Sequence, residues 1–131
     1  MDCPECGAAT VSFAVPSDLR EYLPAAAPGA ALCTRCLALR PVEDPPAGPE
    51  SDFERVGETF PSNPEAAVPM ALLVGLLSSL ATNRAEISAL LERVERAGTD
   101  PLLALDRLAA DPDVDAAVDL RTRRRQLEQL L

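Results

Sequence analysis

The chain contains no histidine, no tryptophan and no lysine, and its 131 residues include four aromatic side chains and a single isoleucine. Without histidine there is no imidazole to serve as a general base. A glycine-rich phosphate loop and a serine in a nucleophile elbow are also missing, so no catalytic constellation emerges. The expectation is a protein that is not an enzyme. Apolar residues make up 47% of the chain and are mostly alanine and leucine, which is helix-forming material with a modest core. Acids number 21 against 12 bases, giving a net charge of −9 and a pI of about 4.4.

The charge is unevenly spread. Residues 1–40 carry four acids and three bases, residues 41–64 six acids and one base, and residues 65–131 eleven acids and eight bases. An overall field of this sign disfavours nucleic acid as a partner. It leaves another protein as the expected one, of unknown identity and in an unknown oligomeric state.

What is present is a set of four cysteines in two Cys-x-x-Cys pairs. Cys3-Pro4-Glu5-Cys6-Gly7 opens the chain, and Cys33-Thr34-Arg35-Cys36 follows after a spacer of 26 residues. Two intervening residues let the backbone turn so that both sulfurs face one ion about 2.3 Å away. Pro4 presets φ at the start of the first turn, and Gly7 tolerates positive φ just after it. The second turn has Thr34 and Leu37 in those places and is expected to be less ideal. Cys3, Cys6, Cys33 and Cys36 together read as the four thiolate ligands of one structural Zn2+ ion, a closed set with no position for water.

Other uses of the same residues fit less well. Disulfides need an oxidising compartment, and the start Met1-Asp2-Cys3 has neither the basic nor the apolar region of a secretory signal. That points to the cytoplasm. A thioredoxin-type dithiol needs one pair in a βαβ setting. Iron in a rubredoxin-like site shares the ligand pattern, but its aromatic interior is hard to assemble from Phe13 and Tyr22 alone. An iron–sulfur cluster satisfies the ligand count but not the hairpin-like spacing. Zinc is preferred, with iron and metal-free paired thiols as the alternatives.

The pattern along the chain predicts an α+β fold in three parts. Residues 1–42 form a zinc ribbon, 43–62 a Pro-rich acidic linker with a short docking helix, and 63–131 a mainly helical bundle. In the ribbon, residues 10–15 are a strand candidate and residues 30–32 and 37–42 a hairpin around the second cysteine pair. Residues 17–23 suit a helical turn, with Ser17 as cap and Pro24 as stop. So small a module cannot bury enough apolar surface alone, and metal binding, worth roughly 10–16 kcal/mol in zinc peptides, becomes part of its folding energy. In the linker, Ser51-Asp52-Phe53-Glu54 resembles a capping box, and Phe53, Val56 and Phe60 share one helical face. That face is expected to dock on the chain's own core, ahead of serving as a partner-binding motif.

Beyond Asn63-Pro64, a cap followed by proline, Pro69 is expected to interrupt, so that the main helix covers residues 68–82. Residues 66–83 carry no charge, near the minimum for a membrane span. A central helix buried by its neighbours is preferred, because amphipathic segments follow. Asn83, Glu86 and Gly98 delimit the next helix, with Ile87, Leu90, Leu91 and Val94 on one face and Glu92 pairing with Arg96. Asp100-Pro101 starts a shorter one ended by Asp111-Pro112. The last is expected from about residue 114 to the end, with short connections favouring antiparallel packing. It holds Arg121, Arg123, Arg124 and Arg125, either a binding patch or a solvated helix end whose arginines pair with Asp115, Asp119 and Glu128. Asp111, Asp113 and Asp115 lack the glycine and glutamate of a calcium loop and read as an acidic connector.

Two resemblances follow. The segment Cys3-Pro4-Glu5-Cys6-Gly7 resembles the knuckle of the small CPxCG-related zinc-finger proteins of haloarchaea, which implies metal ligation by its cysteines. The second pair keeps only the cysteines of that motif. The absence of lysine, the acid excess and the abundant alanine are similar to proteins of salt-loving archaea. The whole layout looks like an uncharacterised haloarchaeal family of unknown function. The leading expectation is a non-enzymatic interaction or regulatory protein; the alternative is a transcription- or RNA-associated nucleic-acid binder using the ribbon and the terminal arginines.

Overall fold

Alternating and β-branched residues near the first cysteine pair, and a run of small apolar residues before the second, build a three-stranded antiparallel sheet. In the computed structural model, which describes residues 2–45, 53–56 and 60–130, the strands are β1 (Thr10–Ala14), β2 (Gly29–Cys33) and β3 (Leu39–Val42). Their order is β1-β2-β3. Thr10 faces Cys33 and Ala14 faces Gly29 across the first pair, while Gly29 faces Val42 and Leu32 faces Leu39 across the second. β2 is buried at all five positions, as a central strand covered on both faces should be. Pro41 sits on the outer strand β3, where its missing N–H costs no ladder bond.

Four helices follow: α1 (Pro64–Leu76), α2 (Arg84–Arg96), α3 (Pro101–Ala110) and α4 (Leu120–Glu128). The α+β architecture expected from the sequence is the one found. The second and third helices begin and end where the sequence places them. Gly98, at φ 92, ends α2, and the Asp100 carboxylate accepts from Leu102 N and Leu103 N at the start of α3.

Four local expectations are corrected. α1 starts at Pro64 and passes through Pro69 without a break. The carbonyl that Pro69 leaves without its helical donor belongs to Glu65, an exposed residue in the first turn, so the lost bond falls at the solvated end of the helix. The apolar segment gives up α-helical form at Leu76 and tightens into a 3-10 turn at Leu77–Ser79. Asn83 stands at the N-cap position before α2, but its side chain turns back and donates to Ser79 O at 3.2 Å and Ser79 Oγ at 2.7 Å instead of capping. Ser17 lies inside the 3-10 segment Ser17–Tyr22 and makes no capping bond. Finally, α4 begins at Leu120, not near residue 114, because the preceding backbone is hydrogen-bonded elsewhere.

One apolar core joins the sheet to the helices. Val11, Phe13, Leu32 and Leu37 belong to the same buried cluster as Leu72, Leu77, Ile87, Leu91 and Leu105. α1 runs through its centre, buried at every residue from Ala66 to Val74. Among the described residues no helix is long and apolar enough to cross a membrane. Phe53, Val56 and Phe60 are 2–3% exposed, so this stretch docks on the chain's own core. Phe53 bridges the other two rings, 5.2 Å from Phe13 and 6.1 Å from Phe60 between centroids. The regular part of the segment is a single 3-10 turn, Phe53–Arg55; Ser51 and Asp52 of the expected capping box, like Leu131, lie outside the described residues.

Candidate metal centre

Both cysteine pairs sit in turns that share one closing backbone bond, from the first cysteine's N to the carbonyl five residues on. In the first, Cys3 N donates to Ala8 O at 2.8 Å and Gly7 N donates to Cys3 O at 2.8 Å; in the second, Cys33 N donates to Ala38 O at 2.9 Å. The residue after each second cysteine takes a left-handed conformation, Gly7 at φ 78 and Leu37 at φ 63. For Gly7 that is free of steric cost. Leu37 adopts it against its preference, held by burial at 5% exposure. The second knuckle is therefore less ideal in sequence but not in shape.

Thr34, standing where the first knuckle has proline, bolts the two turns together. Its backbone N and its Oγ1 both donate to Ala9 O, at 3.0 and 2.8 Å. The sulfurs meet across the knuckles: Cys3 Sγ lies 3.7 Å from Cys36 Sγ, and Cys6 Sγ lies 3.4 Å from Cys33 Sγ. All four sulfurs fall within 4.8 Å of one another.

These distances test what the cluster can hold. A disulfide needs sulfurs at about 2.05 Å, and all four cysteines are free. A tetrahedron of thiolates about 2.3 Å from a central ion has edges of about 3.8 Å, close to the two spacings observed. One metal ion therefore fits, and the residues that would hold it are Cys3, Cys6, Cys33 and Cys36. Among the described residues, this is the group of potential ligands that converges in that way.

The site is asymmetric electrostatically. Backbone N–H groups of Glu5 and then Cys6 lower the Cys3 pKa to about 7. The equivalent amides of the second knuckle, Arg35 N and Cys36 N, approach Cys33 Sγ at 3.4 Å each. Cys36 is pushed up to about 12, first by burial and then by its neighbouring sulfurs. Without a cation the cluster ionises readily at one sulfur and resists a further charge at another. A dication reverses that resistance by stabilising every thiolate at once.

The other sequence candidates do not converge on this site. Asp111 Oδ1 accepts from Asp113 N at 2.9 Å in a local turn. The terminal arginines are spread around α4. Arg124 bridges Asp106 of α3, at 3.0 Å, and Glu128. Arg123 donates to Gln126 and Arg125 to Thr122. Asp119 caps the helix by accepting from Thr122 N, and that bond lowers its pKa. On α2 the ion pair is Arg93 with Asp18 at 2.7 Å, not the expected Glu92 with Arg96.

Two features were invisible in the sequence. The first is the Thr34 bolt. The second is the segment leading into α4, where Asp115 N donates to Arg35 O at 2.8 Å and Ala117 N donates to Cys36 O at 3.2 Å. Both are contacts to backbone carbonyls in distant parts of the chain, and no residue pattern signals them. No curated protein and no solved structure matches the chain. Over residues 2–131, the whole length of ribbon, linker and helices, it belongs to a family of unknown function (DUF6276).

Proposed function

We propose that this chain is a non-enzymatic zinc-binding protein of the cytoplasm, in which one structural zinc ion organises a surface that engages another protein. The observation that carries the reading is the convergence of four sulfurs from two matching knuckles within 4.8 Å. All four ligands come from the protein, so no coordination position is left for substrate or water, as in structural zinc sites. Zinc is favoured over iron because Cys6 is exposed and Cys36 half-exposed, a poor enclosure for a redox-active ion. The three phenylalanines moreover pack on one another in the core, Phe53 tilted against Phe13 and stacked on Phe60. Free thiols held this close suit a reducing compartment.

A cleft of about 430 Å³ lies where the sheet meets the helices, lined by Leu19, Val68 and Pro69 with Arg93 and Arg96 at its side. Glu65 also lines the cleft and Arg93 is paired with Asp18, so its charge is mixed, and it suits an apolar segment that carries an acidic group opposite Arg96. The nucleic-acid alternative loses support, since Arg124 is held between two carboxylates.

Elemental analysis with cobalt substitution tests the metal: zinc at one per chain with a tetrahedral thiolate spectrum for cobalt is expected. Iron, or no metal in Cys3→Ser-sensitive form, would overturn it. Cross-linking at the salt of the native host, comparing wild type with Arg93→Glu/Arg96→Glu, tests the surface. A partner captured equally by both would remove the cleft as the contact. A gel shift that steepens as salt is lowered would revive nucleic acid.

A further inference from the structure

The helix α4 is the least anchored of the four. Of its nine residues only Leu120 and Leu127 are buried. Poorly filled spaces flank it on two sides. One, of about 210 Å³, lies among Leu108, Val114, Val118 and Leu120. The other, of about 230 Å³, lies among Leu80, Arg84, Arg123 and Gln126. A nine-residue helix has little stability of its own in water, and elements with so few buried contacts open before the rest of a fold.

What compensates lies just upstream. Residues 113–119 form a strap that is neither helix nor strand, and it is tied to the second cysteine knuckle by Asp115 N to Arg35 O and Ala117 N to Cys36 O. Those two carbonyls belong to the turn between and at the ligands themselves. Their positions depend on the turn keeping its shape, which the bond from Cys33 N to Ala38 O sets and an ion bound by Cys33 and Cys36 would reinforce. From the strap the chain passes directly into Asp119, the cap of α4.

We infer that metal occupancy of the knuckles governs the docking of α4, transmitted through the strap at residues 113–119. The inference rests on metal binding at the four cysteines. Loss of the ion relaxes the second knuckle, frees both carbonyls and releases strap and helix together, exposing Leu120 and Leu127 alongside Arg121 and Arg125. The metal then has a role beyond stapling the ribbon: it holds or releases an amphipathic, arginine-bearing helix. Coupling of this kind is reciprocal, so loosening α4 must weaken the metal site. Two backbone hydrogen bonds correspond to a change of roughly tenfold in affinity.

The test is hydrogen exchange by mass spectrometry on the full chain, zinc-loaded and chelator-stripped, with zinc content measured on the same samples. The expected result is exchange over residues 113–128 accelerated at least about tenfold on stripping, while α1 and α2 stay protected. Zinc bound and removed with no change over 113–128 would overturn the inference while leaving the metal reading intact. A collapse of protection in α1 and α2 together with α4 would overturn it too, since α4 would then not respond selectively. Absence of zinc from the loaded sample removes the metal reading and this inference with it. Leu127→Ala supplies the reverse arm: a zinc dissociation constant raised about tenfold supports the coupling, and an unchanged one contradicts it.

Discussion

Replacing Gly75 by alanine opposes two effects of known sign. Gly75 lies in the last turn of α1, where alanine is intrinsically better than glycine by about 1 kcal/mol. A Cβ built there would stand 2.5 Å from Leu39 Cδ2 and 2.6 Å from Leu39 Cβ. Carbon atoms pack at about 3.5–4.0 Å, so roughly 1 Å must be opened. The Cδ2 methyl can swing aside; Leu39 Cβ moves only with the backbone of β3. That strand is paired to Leu32, and the adjoining Ala38 O accepts from Cys33, so the strain runs toward the second knuckle. Overpacking of this kind costs about 1–3 kcal/mol, and backbone involvement places it toward the upper end. Gly75→Ala is therefore expected to destabilise by about 1–2 kcal/mol net, a fall in Tm of roughly 4–8 °C. Thermal unfolding followed by circular dichroism on zinc-loaded protein measures it. In the double variant Gly75→Ala/Leu39→Gly both contacting atoms are gone, and a coupling of at least about 1 kcal/mol is expected. A rise in Tm for Gly75→Ala would show that helix propensity wins and that α1 and β3 are not in this contact.

Other substitutions probe the remaining links. Leu37→Gly relieves a left-handed leucine, worth roughly 1 kcal/mol, but removes a buried side chain whose truncation costs about 2–5 kcal/mol. Net destabilisation of about 1–4 kcal/mol in chemical denaturation is expected, and a stabilised variant would contradict the packing of Leu37. Gly7→Ala, with nothing within 4 Å of the new Cβ, should cost only the backbone strain of about 1 kcal/mol. Asp100→Ala removes the cap of α3 and should lower stability by about 1 kcal/mol, with Asp100→Asn close to wild type. Acid should loosen α4 in its own right. The bond from Thr122 lowers the Asp119 pKa below its usual 3.8. Its contribution is present above that value and lost as pH falls through the lower folded one. Protection at the start of α4, with the intrinsic exchange rate at each pH divided out, should fall more steeply on acidification in the wild type than in Asp119→Asn, which caps without titrating.

The parts legible in the sequence are those whose cause is local. Each cysteine knuckle is specified within about six residues, and α2 and α3 carry their own periodicity and end signals. The burial of Phe53, Val56 and Phe60 followed from their shared face, because spending two of four aromatics on a solvated linker would be costly. The features that were misread depend on what lies across the fold. Pro69 looked like a break, yet it falls early in α1, where the deprived carbonyl belongs to an exposed residue of the first turn and core packing on Ala66 through Val74 outweighs one lost bond. The start of α4 was placed too early because Val114, Ala116 and Val118 suit a helix in isolation. The amides between them, of Asp115 and Ala117, are instead committed to Arg35 and Cys36, about 80 residues earlier. The Asn83 side chain had two uses, capping forward or bonding back to Ser79, and the 3-10 turn beside it decided between them.

The central claim is that the four cysteines hold one zinc ion and that the knuckles and the elements tied to them depend on it. Native mass spectrometry of the full chain, as isolated and after changing Cys3 or Cys36 to serine, tests this most directly. The account predicts one zinc per wild-type chain, greatly weakened retention in either variant, and a modest rise in charge state of the variants as the second knuckle and residues 113–128 loosen while the helical core stays compact. A wild-type chain that is compact and metal-free, or variants that keep zinc as firmly as wild type, would contradict it.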